Sequence, residues 1–210
     1  RIKGLLAGTR VIMLASSREG EEQLWLDAIA EFERTEPQMA QSQTRIQWWI
    51  VPRHPQRFDE VMTLLKNTGK NVVRKSALND LSIDQQITEL HRADFVLGDT
   101  MGEMFTYYAI ADIVLMGGTW LPYGGQNFIE PMALGKFVWV GSSIYNFEQI
   151  GVDALHSGVM WQEFNLFEAL KKASQSVSYT ADMDMQSLIK KFIHQRCGSV
   201  AKLNFLLFRM

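Results

Sequence analysis

Gly124-Gly125-Gln126-Asn127 runs directly into Phe128-Ile129-Glu130-Pro131, and this segment holds the densest chemistry in the chain. Paired glycines admit a ligand close to the backbone, because no Cβ stands in the way. A helix starting just after them points its N–H groups and positive dipole end the same way. That combination suits a phosphate. Glu130 falls early in the helix, where a carboxylate can accept from a ribose diol. A plain turn followed by a dipole-stabilising glutamate would leave the same pattern. A second pair, Gly117-Gly118, lies just before, and two pairs bracketing Trp120-Leu121-Pro122-Tyr123 exceed what a turn requires.

Pro52-Arg53-His54-Pro55 is the second candidate. Two prolines stiffen a loop with two groups able to carry positive charge. Arg53 offers a planar fork for phosphate or carboxylate, and His54 a hydrogen-bond donor. A turn bearing a solvated arginine is the alternative. Arg45, Arg57, Lys66, Lys70, Arg74 and Lys75 crowd the same region against Asp59 and Glu60, and most of this excess is expected on a solvated face. In Gly98-Asp99-Thr100-Met101-Gly102-Glu103, Thr100 and Glu103 have capping-box spacing. Gly102 near a helix start costs helix stability, which a closely approaching ligand would explain. Ser16-Ser17-Arg18-Glu19-Gly20-Glu21-Glu22 lacks the glycine triplet of a dinucleotide fingerprint and reads as an N-cap before an acidic first turn.

Several chemistries have no signature here. There is no P-loop, Gly-x-Ser-x-Gly or His-Glu-x-x-His motif. His54, His91, His156 and His194 show no ligand spacing. Cys197 is the single cysteine, so a disulfide framework is excluded and a zinc site is not expected. A net charge of −2 argues against a general nucleic-acid binder. The 210 residues are 47% hydrophobic and 21% charged, enough for a sizeable core. No stretch reads as a membrane span, since Ile113 to Ile129 is interrupted by glycines and a proline. Lys190, Lys191, Arg196, Lys202 and Arg209 make the end of the chain basic, which suits a solvated helix face or an anionic membrane.

The elements that must position these loops alternate. Val11–Ala15, Ile46–Val51, Val72-Val73, Phe95–Leu97, Ile113–Met116, Phe137–Val140 and Val159–Trp161 are predicted strands. Helical periods follow from Glu21 (Leu24, Trp25, Ala28, Ile29, Phe32) and from Pro55 (Phe58, Val61, Met62, Leu65). Others are expected over 101–109, 129–134, 163–176, 184–196 and 199–208, with a polar loop at 38–44. Strand–helix alternation implies one α/β domain over 1–210, a Rossmann-like parallel sheet with helices on both faces. In such sheets the ligand crevice lies at the carboxyl ends of the strands. The loops Ser16–Glu22, Pro52–Arg57, Gly98–Glu103, Gly117–Glu130 and Gly141–Phe147 should therefore converge.

Those same loops, in this order, resemble the C-terminal half of the Kdo (3-deoxy-D-manno-octulosonic acid) transferase family. These are GT-B glycosyltransferases of lipopolysaccharide synthesis. The resemblance implies CMP-Kdo as donor substrate, the acylated glucosamine disaccharide precursor of lipid A as acceptor, and inversion at the anomeric carbon. It implies no cofactor and no metal in the site. Arg53 and His54 would face the donor's phosphate or cytidine side, with Pro55 beside them. Gly102 and Glu103 would lie against the nucleotide. Asn127 and Glu130 would bind the phosphate and the ribose or sugar, and Ser16, Gly124 and Gly125 complete the implied donor set. The family often has Thr-His where this chain has Ser17-Arg18, and His-Asn-Pro where it has Gln126-Asn127-Phe128. Gln126 can still donate and accept hydrogen bonds.

The chain opens Arg1-Ile2-Lys3 and is read as a piece of a longer protein. An N-terminal acceptor domain would carry the general base and the membrane association. The full-length protein is then expected at the cytoplasmic face of the bacterial inner membrane, and the isolated piece soluble and inactive. A UDP-sugar transferase or epimerase of the same fold, or a non-catalytic nucleotide-binding module, remains the competing reading.

Overall fold

The computed structural model describes residues 6, 8–37, 45–175 and 183–196. Cys197, the loop expected at 38–44 and the helix expected over 199–208 lie outside them. Seven parallel strands form one sheet. They are β1 (Thr9–Ser17), β2 (Arg45–Pro52), β3 (Val72–Arg74), β4 (Phe95–Leu97), β5 (Ile113–Met116), β6 (Phe137–Val140) and β7 (Trp161–Gln162), in the order β3-β4-β2-β1-β5-β6-β7. The helices are α1 (Glu21–Thr35), α2 (Phe58–Asn67), α3 (Ile83–Arg92), α4 (Met104–Ile110), α5 (Ile129–Ala133), α6 (Glu148–His156), α7 (Leu166–Gln175) and α8 (Met183–Arg196). Among the described residues no helix is long and apolar enough to cross a membrane.

Strand periodicity explains the layers. Alternate side chains point to opposite faces, so a continuous apolar run fits a strand covered on both sides. One row across the sheet is Val73, Val96, Trp49, Met13, Val114 and Val138. It packs against α3, α4, α5, α6 and α8 through Leu90, Tyr107, Met132, Ala154 and Ile189. The neighbouring row, Leu97, Ile50, Leu14, Leu115 and Trp139, packs against α1, α2 and α7. There Trp25 meets Trp48 edge-on at 5.8 Å, and Phe32 meets the same ring at 6.1 Å. The α1 stripe differs from the expected one at a single place: Leu24 is 41% exposed and Leu26 is buried instead.

Two helices were not expected, α3 and α6. The first had a readable start, because Ser82 and Gln85 form a reciprocal capping box. Conversely, the α4 box does not form. Glu103 is the N-cap there and makes no side-chain cap bond, while Thr100 turns to other partners. The α1 start also differs, since Gly20 at φ 86° is its N-cap and neither Ser16 nor Ser17 caps it.

β1 leads through α1 to β2 on one side, and β5 leads through α5 to β6 on the other. Their junction is the topological switch point of the sheet. The two strands part there by a local irregularity. Ser16 has φ 56°, alone in the left-handed region among the described non-glycine residues, and the β1–β2 register shifts between Ala15 and Ser17. Gly117 makes this approach feasible, because a Cβ there would lie 2.4 Å from the Ser16 carbonyl oxygen. Gly117→Ala should therefore force the two strand ends apart, costing about 2–3 kcal/mol in urea unfolding. Wild-type stability in that variant would refute the tight junction.

Candidate functional site

Glu21 organises the switch point. Its carboxylate is fully buried and accepts the amides of Arg18 (2.8 Å) and Gly118 (2.7 Å) on Oε2 and of Trp120 (3.0 Å) on Oε1. The β1–α1 loop and the Gly117–Phe128 loop are thus bound to one anion. Burial pushes the Glu21 carboxyl above the usual range, and the backbone amides partly restore the charged form. Arg18 stacks over the Tyr123 ring at 4.7 Å, and Tyr123 donates to the Glu19 carbonyl, closing the same seam.

The glycine pair does not work as its sequence suggests. Gly124 and Gly125 have φ 82° and 86°, so both need the left-handed freedom of glycine. Their amides, however, are turned inward. Gly124 donates to Ser143 Oγ at 2.8 Å, Gly125 to the Gly118 carbonyl at 2.7 Å, and Gln126 to the Gly117 carbonyl at 3.1 Å. The Gly141–Phe147 loop braces them, with Asn146 Nδ2 reaching the Tyr123 and Gly125 carbonyls. Gly102, at φ 78°, is likewise required by its backbone, and nothing lies within 4 Å of where its Cβ would be.

Asn127 shapes the start of α5. Its Oδ1 accepts the Ile129 amide at 3.1 Å, and its Nδ2 donates to Glu130 Oε1 at 2.9 Å. Glu130 is thereby aimed by a neighbour three residues earlier. It is half-buried, and burial raises its carboxyl above the ordinary range against the Asn127 bond and the charge of Arg53. Arg53 itself is exposed on the loop after β2, and its amide donates to the Ser17 carbonyl at 3.0 Å. His54 and Pro55 stand exposed next to it at the start of the 3-10 turn Pro55–Arg57.

Tyr108 joins these parts from below. Its phenol, buried on α4, lies near the Ser16 hydroxyl and within electrostatic reach of both Glu130 and Arg53. Burial drives its pKa far above that of a free tyrosine, so it stays a neutral donor. Ser16, Arg53 and Glu130, far apart in sequence, therefore meet around one hydroxyl. Gly102 and Glu103 lie on the adjoining loop after β4. Thr100 ties that loop together by bonding both Glu103 Oε2 and the hydroxyl of Tyr107, the residue preceding Tyr108.

Much of the basic region is ion-paired at the surface, while Arg53 and Lys66 are exposed. Arg45, Lys70 and Arg74 pair with Asp94, Glu33 and Asp59. Arg57 sits against the buried Glu22 at 2.5 Å and also reaches Glu60. Ser17 donates to the same Glu22 at 2.8 Å. Lys75 is buried, with its ammonium 2.7 Å from Asn79 Oδ1 and 3.9 Å from Glu103 Oε2. The two arginines of the Arg53–Arg57 segment therefore divide their work: Arg57 anchors the loop and Arg53 faces out. Among the described residues no three His, Cys, Asp or Glu side chains cluster in a way that could hold a metal.

No family model matches the chain. Curated relatives do. The chain is 36% identical over 174 residues to the 3-deoxy-D-manno-octulosonic acid transferase of Bordetella pertussis, covering 83% of this chain and 38% of that protein. The Haemophilus influenzae protein of the same name is 38% identical over 101 residues, 48% of this chain and 22% of its own length. Among solved structures, the C-terminal CMP-Kdo binding domain of WaaA from Acinetobacter baumannii superposes with a TM-score of 0.73 at 26% identity, over 90% of this chain and 91% of that one.

The chain belongs to the Kdo transferase family.

The more distant HepE of Anabaena, solved with UDP and glucose, shares the fold at 18% identity and a TM-score of 0.54, over 98% of this chain and 50% of that one. The family's parallel Rossmann-like domain of the GT-B type is thus the architecture seen here. The chain spans well under half the length of the curated relatives it matches.

Sequence reading placed Ser16, Arg53, Glu130 and Asn127 in loops that do meet, with Gly102 and Glu103 alongside. It missed Glu21, Glu22, Tyr108 and Lys75. A glutamate in a first helical turn reads as a dipole partner, and nothing local marks it as buried. Tyr107-Tyr108 did carry a signal, since a tyrosine on a core-facing stripe needs a partner for its hydroxyl.

Glu21→Gln keeps the shape but places an NH2 group against backbone donors, and should cost about 1–3 kcal/mol at neutral pH. The sign with pH is set by the raised carboxyl. In the folded state the proton is held more tightly than in the unfolded chain, so wild-type stability falls as pH rises above the unfolded value of 4.5. The gap between wild type and Glu21→Gln in urea unfolding should narrow over that rise. A gap that widens would refute a desolvated carboxylate.

Proposed function

We propose that the chain is the donor-binding half of a Kdo transferase, and that its carboxyl-edge crevice takes CMP-Kdo. The observation carrying this reading is the near-complete overlap with a CMP-Kdo binding domain, joined to the meeting of Arg53, Glu130 and Ser16 at the switch point. In this reading Arg53 holds the phosphate of the donor and stabilises the CMP that departs. Glu130, aimed by Asn127, accepts from the ribose or sugar hydroxyls. The inward turn of the Gly124, Gly125 and Gln126 amides moves the backbone contribution to the start of α5, where the Asn127 and Phe128 amides have no acceptor among the described residues.

The sugar would pass, with inversion and without a metal in the site, to the acylated glucosamine disaccharide precursor of lipid A. The general base and the acceptor contacts would come from the remaining length of the protein. That protein would work at the cytoplasmic face of the bacterial inner membrane.

Calorimetric titration with CMP, CDP and UDP tests the donor class. CMP should bind. A preference for UDP would assign the chain to a UDP-sugar enzyme, and no binding by folded protein would overturn the reading. Glu130→Ala should weaken CMP about tenfold or more by leaving the ribose hydroxyls without their acceptor. Arg53→Ala should weaken it more at low than at high salt, because an exposed charge contact is screened. An equal loss at both ionic strengths would make Arg53 a packing residue.

A further inference from the structure

Arg18 is a cation without an acid. Among the described residues its guanidinium makes no ion pair and no hydrogen bond, although Glu19, Glu21 and Glu22 follow closely in the chain. Glu21 is taken by backbone amides, Glu22 by Ser17 and Arg57, and Glu19 stands exposed. Arg18 is nonetheless held in place. Its guanidinium lies 4.7 Å from the centroid of the Tyr123 ring, and Tyr123 donates to the Glu19 carbonyl at 3.0 Å. A guanidinium resting on an aromatic face keeps its N–H edge open to an anion. The loop after β1 thus carries a positioned, half-exposed fork with no anionic partner of its own.

The place of Arg18 follows from strand pairing. Ser17 is the register partner of Pro52, and the Arg53 amide donates to the Ser17 carbonyl at 3.0 Å. Arg18 and Arg53 therefore leave adjacent strand ends side by side, at about the 4.8 Å spacing of paired strands. The other arginine of the β2 loop, Arg57, is committed to Glu22 and Glu60. On its other side β1 pairs with β5, and Tyr123 belongs to the same loop as Glu130. Arg18 thus bridges the two loops that flank the switch point, with Arg53 next to it.

Resting on the CMP-Kdo reading above, we propose that Arg18 binds the carboxylate of the transferred sugar, and that Tyr123 is a positioning residue that holds it there. The sugar is an ulosonic acid, so its anomeric carbon bears both the phosphate and the carboxylate. Only one oxygen and that carbon separate the phosphorus from the carboxyl carbon. The second anion must therefore lie beside the first, whichever hydroxyls Glu130 takes. Arg53 and Arg18 meet this demand as neighbouring forks, one for each charge. An arginine fork matches a carboxylate bidentately. A sugar with a plain C–H at its anomeric carbon offers no such anion and leaves Arg18 unpaired, so the contact also sets the class of sugar.

The test is calorimetric titration with CMP and with CMP-Kdo at about pH 8, above the second phosphate pKa of about 6. CMP then carries both its charges on phosphate, whereas CMP-Kdo divides the same total between phosphate and carboxylate. The ratio of the two affinities thus reads where charge is held, and a general loss of structure weakens both ligands alike. Wild type should bind CMP-Kdo about tenfold or more tighter than CMP. Arg18→Met should cut that ratio about tenfold. Arg18→Lys keeps the charge without the fork and should cut it less. Tyr123→Leu should lower the ratio part-way, and Tyr123→Phe, which keeps the ring, should leave it near wild type. Equal affinities in wild type, or an unchanged ratio in Arg18→Met, would overturn the carboxylate role while leaving the CMP-Kdo reading intact. An unchanged ratio in Tyr123→Leu would overturn the positioning role. Failure of folded wild type to bind either ligand would overturn the CMP-Kdo reading and this inference with it.

Discussion

A charge buried between two loops sets the geometry on which everything else in this molecule rests. Among the described residues Glu21 has no cationic partner. It is stabilised by backbone amides alone, drawn from the loop after β1 and from the loop after β5. A carboxylate only accepts, and each amide it takes would otherwise be an orphan in a dry seam. Charge-assisted bonds to backbone donors offset much of its desolvation. The Gly117–Gly125 turn, the seat of Asn127 and the aim of Glu130 are downstream of that contact. The crevice is therefore built on a side chain that never touches its opening.

The site is a division of labour between paired residues. Arg57 is consumed by Glu22 and Glu60, which frees Arg53 to stay exposed on a fixed loop. Tyr107 and Tyr108 are neighbours in sequence yet serve different loops. One holds Thr100 beside Glu103, and the other lies under Ser16, Glu130 and Arg53. A short helix thereby couples the β4 loop to the switch point. Asn127 shows the same economy, satisfying an amide with its oxygen and orienting Glu130 with its nitrogen.

The strands were legible because a run such as Val11–Ala15 has no polar side to hide, and burial on both faces is what such a run requires. The convergence of the loops was legible because parallel topology forces it. The family was legible from the order of four motifs. What sequence could not reveal was direction. Gly124-Gly125 looked like a cradle with outward amides, and only the partners Ser143 and Gly118 turn those amides inward. Lys75 looked solvated among many basic neighbours, and only its approach to Asn79 and Glu103 buries it. Helix α3 was missed although Ser82 and Gln85 announced its start. Its Ile83, Ile87 and Leu90 stripe is thin, and flanking polar residues conceal it.

The strand order has a kinetic corollary. β1 pairs with β2, its successor in the chain, but its other neighbour is β5. The bond from Gly118 to Glu21 closes a separation of 97 residues, and that from Val11 to the Asp112 carboxylate closes 101. Contacts of such range are costly to form early, because the chain between them must already be compact. The four-strand half β3-β4-β2-β1 can assemble from nearer partners, whereas the crevice exists only once β5 has docked. During synthesis the crevice thus waits for β5, and a chain halted before Asp112 would have the strands of one half without the crevice.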